Sequence, residues 1–185
     1  MGAKARLHMK LQSLLLGSAL VLGLSAGAHD HKHEKGHSHG KHVHGEGRMD
    51  VAFEALKGEI DFKISADVVL GSENAPKGAK AKAEEKMKLD NLVAKFKESV
   101  KFEGATCTWN KVEVDVDRHK VGKVEHAEIE VEADVTCDKS LKGGKFVVDL
   151  RAHYPSLNKI EVQIVTPELQ KGAVIDAKTN SIDLN

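Results

Sequence analysis

Seven of the chain's eleven histidines fall within sixteen residues, His29-Asp30-His31-Lys32-His33-Glu34-Lys35-Gly36-His37-Ser38-His39-Gly40-Lys41-His42-Val43-His44. Imidazole is the commonest protein ligand for zinc, copper and nickel. The spacing is mostly His-x-His, broken by Gly, Ser, Lys and acids, and the stretch has almost no apolar residue from which to build a core. It therefore reads as an open, disordered arm that wraps several weak ligands around an ion. A closed four-ligand structural zinc finger is excluded, because the tract has no cysteine. His29, His31, His33, His37, His39, His42 and His44 are the candidate ligands of the arm. Two more imidazoles, His119 and His126, flank a later loop together with Asp117, Glu125 and Glu128, and form a second candidate zinc site. Glu34, Glu46 and Asp50 are candidate oxygen ligands.

What precedes the tract looks like a targeting segment. Lys4, Arg6 and Lys10 come before an apolar run from Leu14 to Leu24, then Ser25-Ala26-Gly27-Ala28. The small residues at 26 and 28 fit signal-peptidase cleavage after Ala28, which predicts export and no membrane span in the mature chain. Met9 is an equally serviceable start. Cleavage after Ala28 would leave His29-Asp30-His31 at a free amino terminus. An amine with histidine in third place can hold copper(II) or nickel(II) in a square plane, so both metals stay open beside zinc.

The remainder, 48–185, has the size of one domain with a core of its own, 29–47 being the arm and 1–28 the leader. The whole chain carries 28 basic and 28 acidic residues. Loss of the three leader cations leaves a weakly negative protein, which argues against nucleic acid or an anionic membrane as partner. No nucleophile–base set, phosphate-cradling glycine loop or closed zinc site with a general base is legible, so an enzyme is not expected.

The elements that must position these ligands follow from periodicity. Met49, Val51 and Phe53, then Ile60, Phe62 and Ile64, alternate about Lys57-Gly58 and predict a hairpin with one buried face. An early start of its first strand would put His42 and His44 on the polar face beside Asp50. Leu89, Leu92, Val93, Phe96 and Val100 recur at helical spacing and predict a surface helix over 79–101, its first two turns so charged that they project beyond the core. Val112, Val114 and Val116, and Ala127 to Val135, predict an antiparallel pair joined by a polar loop, 118–126. Pairing Val114 with Val131 leaves Cys107 one residue out of register with Cys137. A β-bulge between Trp109 and Val112 removes the offset, so a cross-strand disulfide with a bulge is expected. Strands are expected from Lys145 to His153 and across Ile160, Val162 and Ile164, with a closing hairpin between Val174-Ile175 and Ile182–Leu184. His153 reads as a packed strand residue. The fold class is α+β: a mainly antiparallel sheet with one long amphipathic helix.

Four features together carry a resemblance. They are the start ending in His42-Val43-His44-Gly45, the Gly71-Ser72-Glu73-Asn74-Ala75-Pro76 stretch, the two spaced cysteines, and the segment Tyr154-Pro155-Ser156-Leu157-Asn158 running on to Thr166-Pro167. With them the chain resembles the ZrgA-type zinc-regulated periplasmic proteins. The resemblance implies periplasmic zinc binding in support of zinc uptake, beside a zinc-binding component of an ABC importer. Family members often carry a His/Glu run in the hairpin loop, where this chain keeps only His119 and His126. Their middle motif usually has an aromatic and a histidine where this chain has Ser72 and Asn74. The competing readings are a copper or nickel chaperone and a metal-independent adaptor for another protein.

Overall fold

The computed structural model describes residues 43–185. The signal-peptide reading and the candidate ligands His29, His31, His33, His37, His39 and His42 lie outside the described residues.

Strict alternation sets the main sheet. β1 (Glu46–Glu54) and β2 (Lys57–Ser65) pair antiparallel, with Met49, Val51, Phe53, Ile60, Phe62 and Ile64 all buried on one face. β4 (Cys107–Val121) and β5 (Val124–Cys137) form a long hairpin, and β5 lies antiparallel against β2. On the other side β7 (Lys159–Val165) pairs parallel with β1, and β8 (Gln170–Ile175) closes the order β4-β5-β2-β1-β7-β8. The valine and isoleucine rows of β5 and β7 continue the same buried face. The parallel β1–β7 contact is the one departure from an antiparallel sheet.

Two elements cover that face. α2 (Gly78–Ser99) lays Leu92 and Phe96 on the sheet, the Phe96 ring 6.1 Å from Phe62 and 5.7 Å from Trp109. Burying a ring of that size stabilises the fold by about 2–3 kcal/mol. A small second sheet of β3 (Val100–Glu103), β6 (Lys145–Val148) and β9 (Ser181–Asp183), in the order β3-β6-β9, adds Phe102 and Phe146. Phe102 packs edge-on against Phe53 at 5.3 Å, which joins the two sheets. As the charge pattern requires, the first turns of α2 are solvated and Met87 is 65% exposed.

The structure departs from the sequence reading at several turns. The first hairpin reverses at Ala55-Leu56, with Ala55 at φ +53°, and Gly58 sits inside β2 where a side chain would run into the Phe53 ring. The long helix ends at Ser99, because Val100 is taken into β3 opposite Val148. The strand from Lys145 stops at Val148; Leu150–Ala152 is a 3-10 turn, with Arg151 Nε donating to the Leu157 carbonyl. His153 therefore lies past a strand, 3.9 Å from Glu98. Val174-Ile175 and Ile182 do not form a hairpin: β8 pairs with β7, and β9 crosses to β6. The link between them turns on Asp176, whose carboxylate accepts from the Lys178 and Thr179 amides and is held below the usual carboxylate range by them. Nor is 118–126 a loop, since the ladder continues to Val121 and Val124 about a two-residue turn. Gly122 there takes φ +65°, the left-handed value that hairpin turns of this length favour.

The disulfide and its bulge are where the register argument puts them. Cys107 is bonded to Cys137, their Cα atoms 4.0 Å apart, and the ladder shifts between Trp109 and Lys111. The bulged Asn110 donates from Nδ2 to Thr136 Oγ1 at 2.7 Å. A cross-link spanning 30 residues restricts the unfolded chain by about 3 kcal/mol. Replacing both cysteines with serine is expected to lower unfolding free energy by that amount in urea titrations. The far end of the hairpin, with His119 and His126, should keep its pairing, because the bridge closes the end remote from those histidines.

Candidate metal centre

The site begins at a turn. Glu46 N–H donates to the Val43 carbonyl at 3.0 Å, and Gly45 takes φ +76°. The Gly45 carbonyl in turn accepts from Asn158 N at 2.6 Å and Lys159 N at 3.3 Å. The Val43-His44-Gly45 end of the tract is thereby docked onto the Tyr154–Asn158 turn, and parallel pairing starts at once with Glu46 opposite Lys159. Val43 to Gly47, which the sequence reading assigns to the arm, are the turn and the first residues of β1. A Cβ on residue 45 would lie 2.5 Å from Asn158 Nδ2 and 2.6 Å from the Ser156 carbonyl, so only glycine fits there.

This docking holds His44, 67% exposed, above the end of β2. The chain leaves β2 at the buried Ser65 and enters a short helix, α1 (Ala66–Leu70), which the sequence analysis did not foresee. Asp67 lies in its first turn, with Oδ2 at 3.0 Å from His44 Nδ1. Gly71 ends α1 in the left-handed conformation, its N–H bonded to the Asp67 carbonyl, and returns the chain over Ser65. Ser65 Oγ donates to Glu73 Oε1 at 2.7 Å, and the same oxygen is 3.8 Å from His44 Nδ1.

The far side of the site comes from the hairpin. β5 runs past the end of β2, whose last paired residue is Ser65 opposite Glu128, and the overhang carries His126. His126 Nδ1 is 3.2 Å from Glu73 Oε2. His119 stands directly across the ladder from His126, the two rings stacked with centroids 5.8 Å apart. The overhang is tied down twice: Ala75 N donates to Glu125 Oε2 at 3.2 Å, and the half-buried Arg118 pairs with Glu85 of α2.

The donor set suits zinc. Ligand atoms about 2.1 Å from a tetrahedral ion stand about 3.4 Å from one another. The His44, Asp67 and Glu73 ligand atoms lie within 4.8 Å of each other, and their contacts of 3.0 and 3.8 Å bracket that spacing. The second oxygen of Asp67, Oδ1, is buried with no hydrogen-bond partner among the described residues. An unmet buried acceptor costs about 1–3 kcal/mol, and a cation beside it removes that cost.

Of the sequence candidates, the structure brings His44, His126 and His119 to one end of the sheet. It does so through Glu73 and Asp67, which the sequence reading missed. Glu73 had a signal, as the one acid in the Gly71–Pro76 stretch; Asp67 had only its place where the β2 alternation breaks. Other suggested oxygens are committed elsewhere. Asp50 accepts from Arg48 at 2.9 Å, Glu46 is 3.0 Å from Lys159, and β1 starts too late to put His44 beside Asp50. Glu125 serves the Ala75 amide, and Asp117 is opposite Glu128 in the ladder.

Residues 41–184 match the family model described as ZrgA family zinc uptake protein. The chain belongs to the ZrgA family. The resemblance noted in the sequence is thus a family relationship, and the protein is zinc-uptake related. Comparison with curated proteins returned no match. The ZrgA match takes in His42, His44, Asp67, Glu73, His119, His126 and both cysteines, and leaves residues 29–40 outside it. The matched span therefore covers the folded cluster and only the last histidines of the tract.

The polar face of the same sheet has a different electrostatic character. Asp50, Asp61, Glu132 and Glu113 are opposed in register across four strands. Burial pushes the Asp61 carboxyl up to about 6; Lys63 opposes the shift and the neighbouring Glu130 adds to it. A raised carboxyl destabilises the fold once ionised, so the penalty is full above pH 6 and absent below the ordinary value near 4. Asp61 is 42% exposed, and solvent screening reduces the effect to about 1 kcal/mol. Asp61→Asn is expected to raise stability by that amount at pH 7.5 and to leave it unchanged near pH 4, as read by urea unfolding at both values.

Proposed function

We propose that this ZrgA-family protein is a periplasmic zinc carrier that collects zinc and passes it to a zinc-binding component of an importer, acting by binding and not by catalysis. The observation that carries the reading is the place of His44. It is the last histidine of the tract and also a member of the His44–Asp67–Glu73 cluster. The chain therefore runs without a break from many weak imidazole sites into a set of fixed ligands. Neutral imidazoles of the tract capture ions, and Asp67 and Glu73 add the negative charge that retains them. His44 is exposed enough for an incoming ligand to displace it, which suits transfer. The disulfide fits an oxidising compartment.

Competition titration of the full chain against a chromophoric zinc chelator tests this. One variant carries glutamine at His29, His31, His33, His37, His39 and His42; the other is His44→Ala. The first should lose the weak sites and keep the tight binding; the second should lose tight binding while the weak sites persist. A His44→Ala protein that binds zinc like wild type overturns the reading.

A further inference from the structure

The side chain of Glu73 is 12% exposed, so the groups packed around it, more than water, must hold its carboxylate. Its two oxygens are held differently. Oε1 accepts from Ser65 Oγ at 2.7 Å and lies 3.8 Å from His44 Nδ1, which makes it the oxygen on the metal side. Oε2 meets His126 instead, with Nδ1 at 3.2 Å. The ligand atoms that all lie within 4.8 Å of one another belong to His44, Asp67 and Glu73; His126 stands outside that group and meets it at Glu73. We propose that His126 is a positioning residue: it does not bind the ion but holds Oε2, so that Glu73 presents Oε1 alone to zinc.

This rests on the zinc-carrier reading and adds what orients its carboxylate. The last torsion of a glutamate is broad, so an unrestrained carboxylate can offer zinc either oxygen or both. Ser65 alone leaves that rotation open, because one bond to Oε1 fixes a point and not a plane. A second contact at Oε2 fixes the plane. Metal-ligating carboxylates are held by outer partners of this kind. His126 is itself well placed to stay put. It lies directly across the ladder from His119, the two rings inclined at only 29° with centroids 5.8 Å apart. His119 thus supports the flat side of the ring and leaves the Nδ1 edge to Glu73. The stretch of hairpin past Ser65 carries the contact. The Ala75–Glu125 bond ties it to the segment bearing Glu73, and the Arg118–Glu85 pair ties it to α2.

The test uses the full chain with glutamine at the six upstream histidines, so that the tract adds no imidazole. Competition titration against a chromophoric zinc chelator gives the affinity, and zinc X-ray absorption at one equivalent gives the number of imidazoles bound. Melts of the metal-free proteins check the fold. His126→Ala should weaken tight zinc by about 10- to 100-fold. His126→Asn keeps an amide N–H near the place of Nδ1 and should bind close to the parent, with the same single-imidazole spectrum. In a Glu73→Gln background His126→Ala should cost nothing further, because His126 acts through that carboxylate. An alanine variant that binds like the parent overturns the positioning role and leaves the carrier reading intact. So does an asparagine variant as weak as the alanine one; loss of an imidazole from its spectrum would make His126 a ligand. No tight zinc in the parent overturns both.

Discussion

Glu73→Gln is expected to weaken the tight zinc site by at least about 100-fold, since loss of an outer-shell partner alone costs 10- to 100-fold and Glu73 is argued to be a ligand. The glutamine is the same size, and its amide keeps one oxygen to accept from Ser65 Oγ, so the fold should be untouched. What is removed is a negative charge lying between His44 and His126. Competition titration measures the affinity, and a thermal melt of the metal-free variant checks that stability stays near wild type. Wild-type affinity in the variant would remove Glu73 from the site.

Gly45→Ala should damage fold and site together. The residue sits at φ +76°, where an L side chain is strained by about 1–2 kcal/mol, and its Cβ would overlap both Asn158 and the Ser156 carbonyl. The variant is expected to lose about 2–3 kcal/mol of stability and to carry His44 away from Asp67. Urea unfolding reads the first effect, and reduced zinc affinity at a temperature where the variant is folded reads the second. The pairing with Asn158 links two segments, 43–45 and 154–158, far apart in sequence: the second is the shelf on which the turn bearing His44 rests.

The strands of the main sheet, the long helix, the disulfide and its bulge could be read from the chain because each is fixed by a local period or a covalent constraint. Val114 and Val131 on one face and Cys107 and Cys137 on one ladder leave a single register with one extra residue. The elements misread are those decided at long range. Val100 continues the helical stripe of Leu92 and Phe96, but opposite Val148 it gains a strand partner and a buried place instead. Ile182 pairs with Phe146 and not with its neighbour in sequence, and no period in Ala66–Leu70 announces α1. The site divides in the same way. Histidine is scarce outside the tract, so His44, His119 and His126 stand out by type. Acids are not scarce, there being 28 in the chain, and Glu73 is set apart from them by its contacts with Ser65, His44 and His126, which form only in the fold. Asp50 and Glu46, nearer in sequence to His44, are drawn off by Arg48 and Lys159.

The central claim is that zinc is held by the folded domain at Glu73, and not only along the histidine tract. Anomalous scattering at the zinc edge from crystals of the zinc-loaded full chain tests it most directly. The account predicts density beside the Glu73 carboxylate, within about 2.0–2.2 Å of the His44 imidazole on one side. Well-ordered domain residues with zinc density elsewhere, or with none at Glu73, would contradict it.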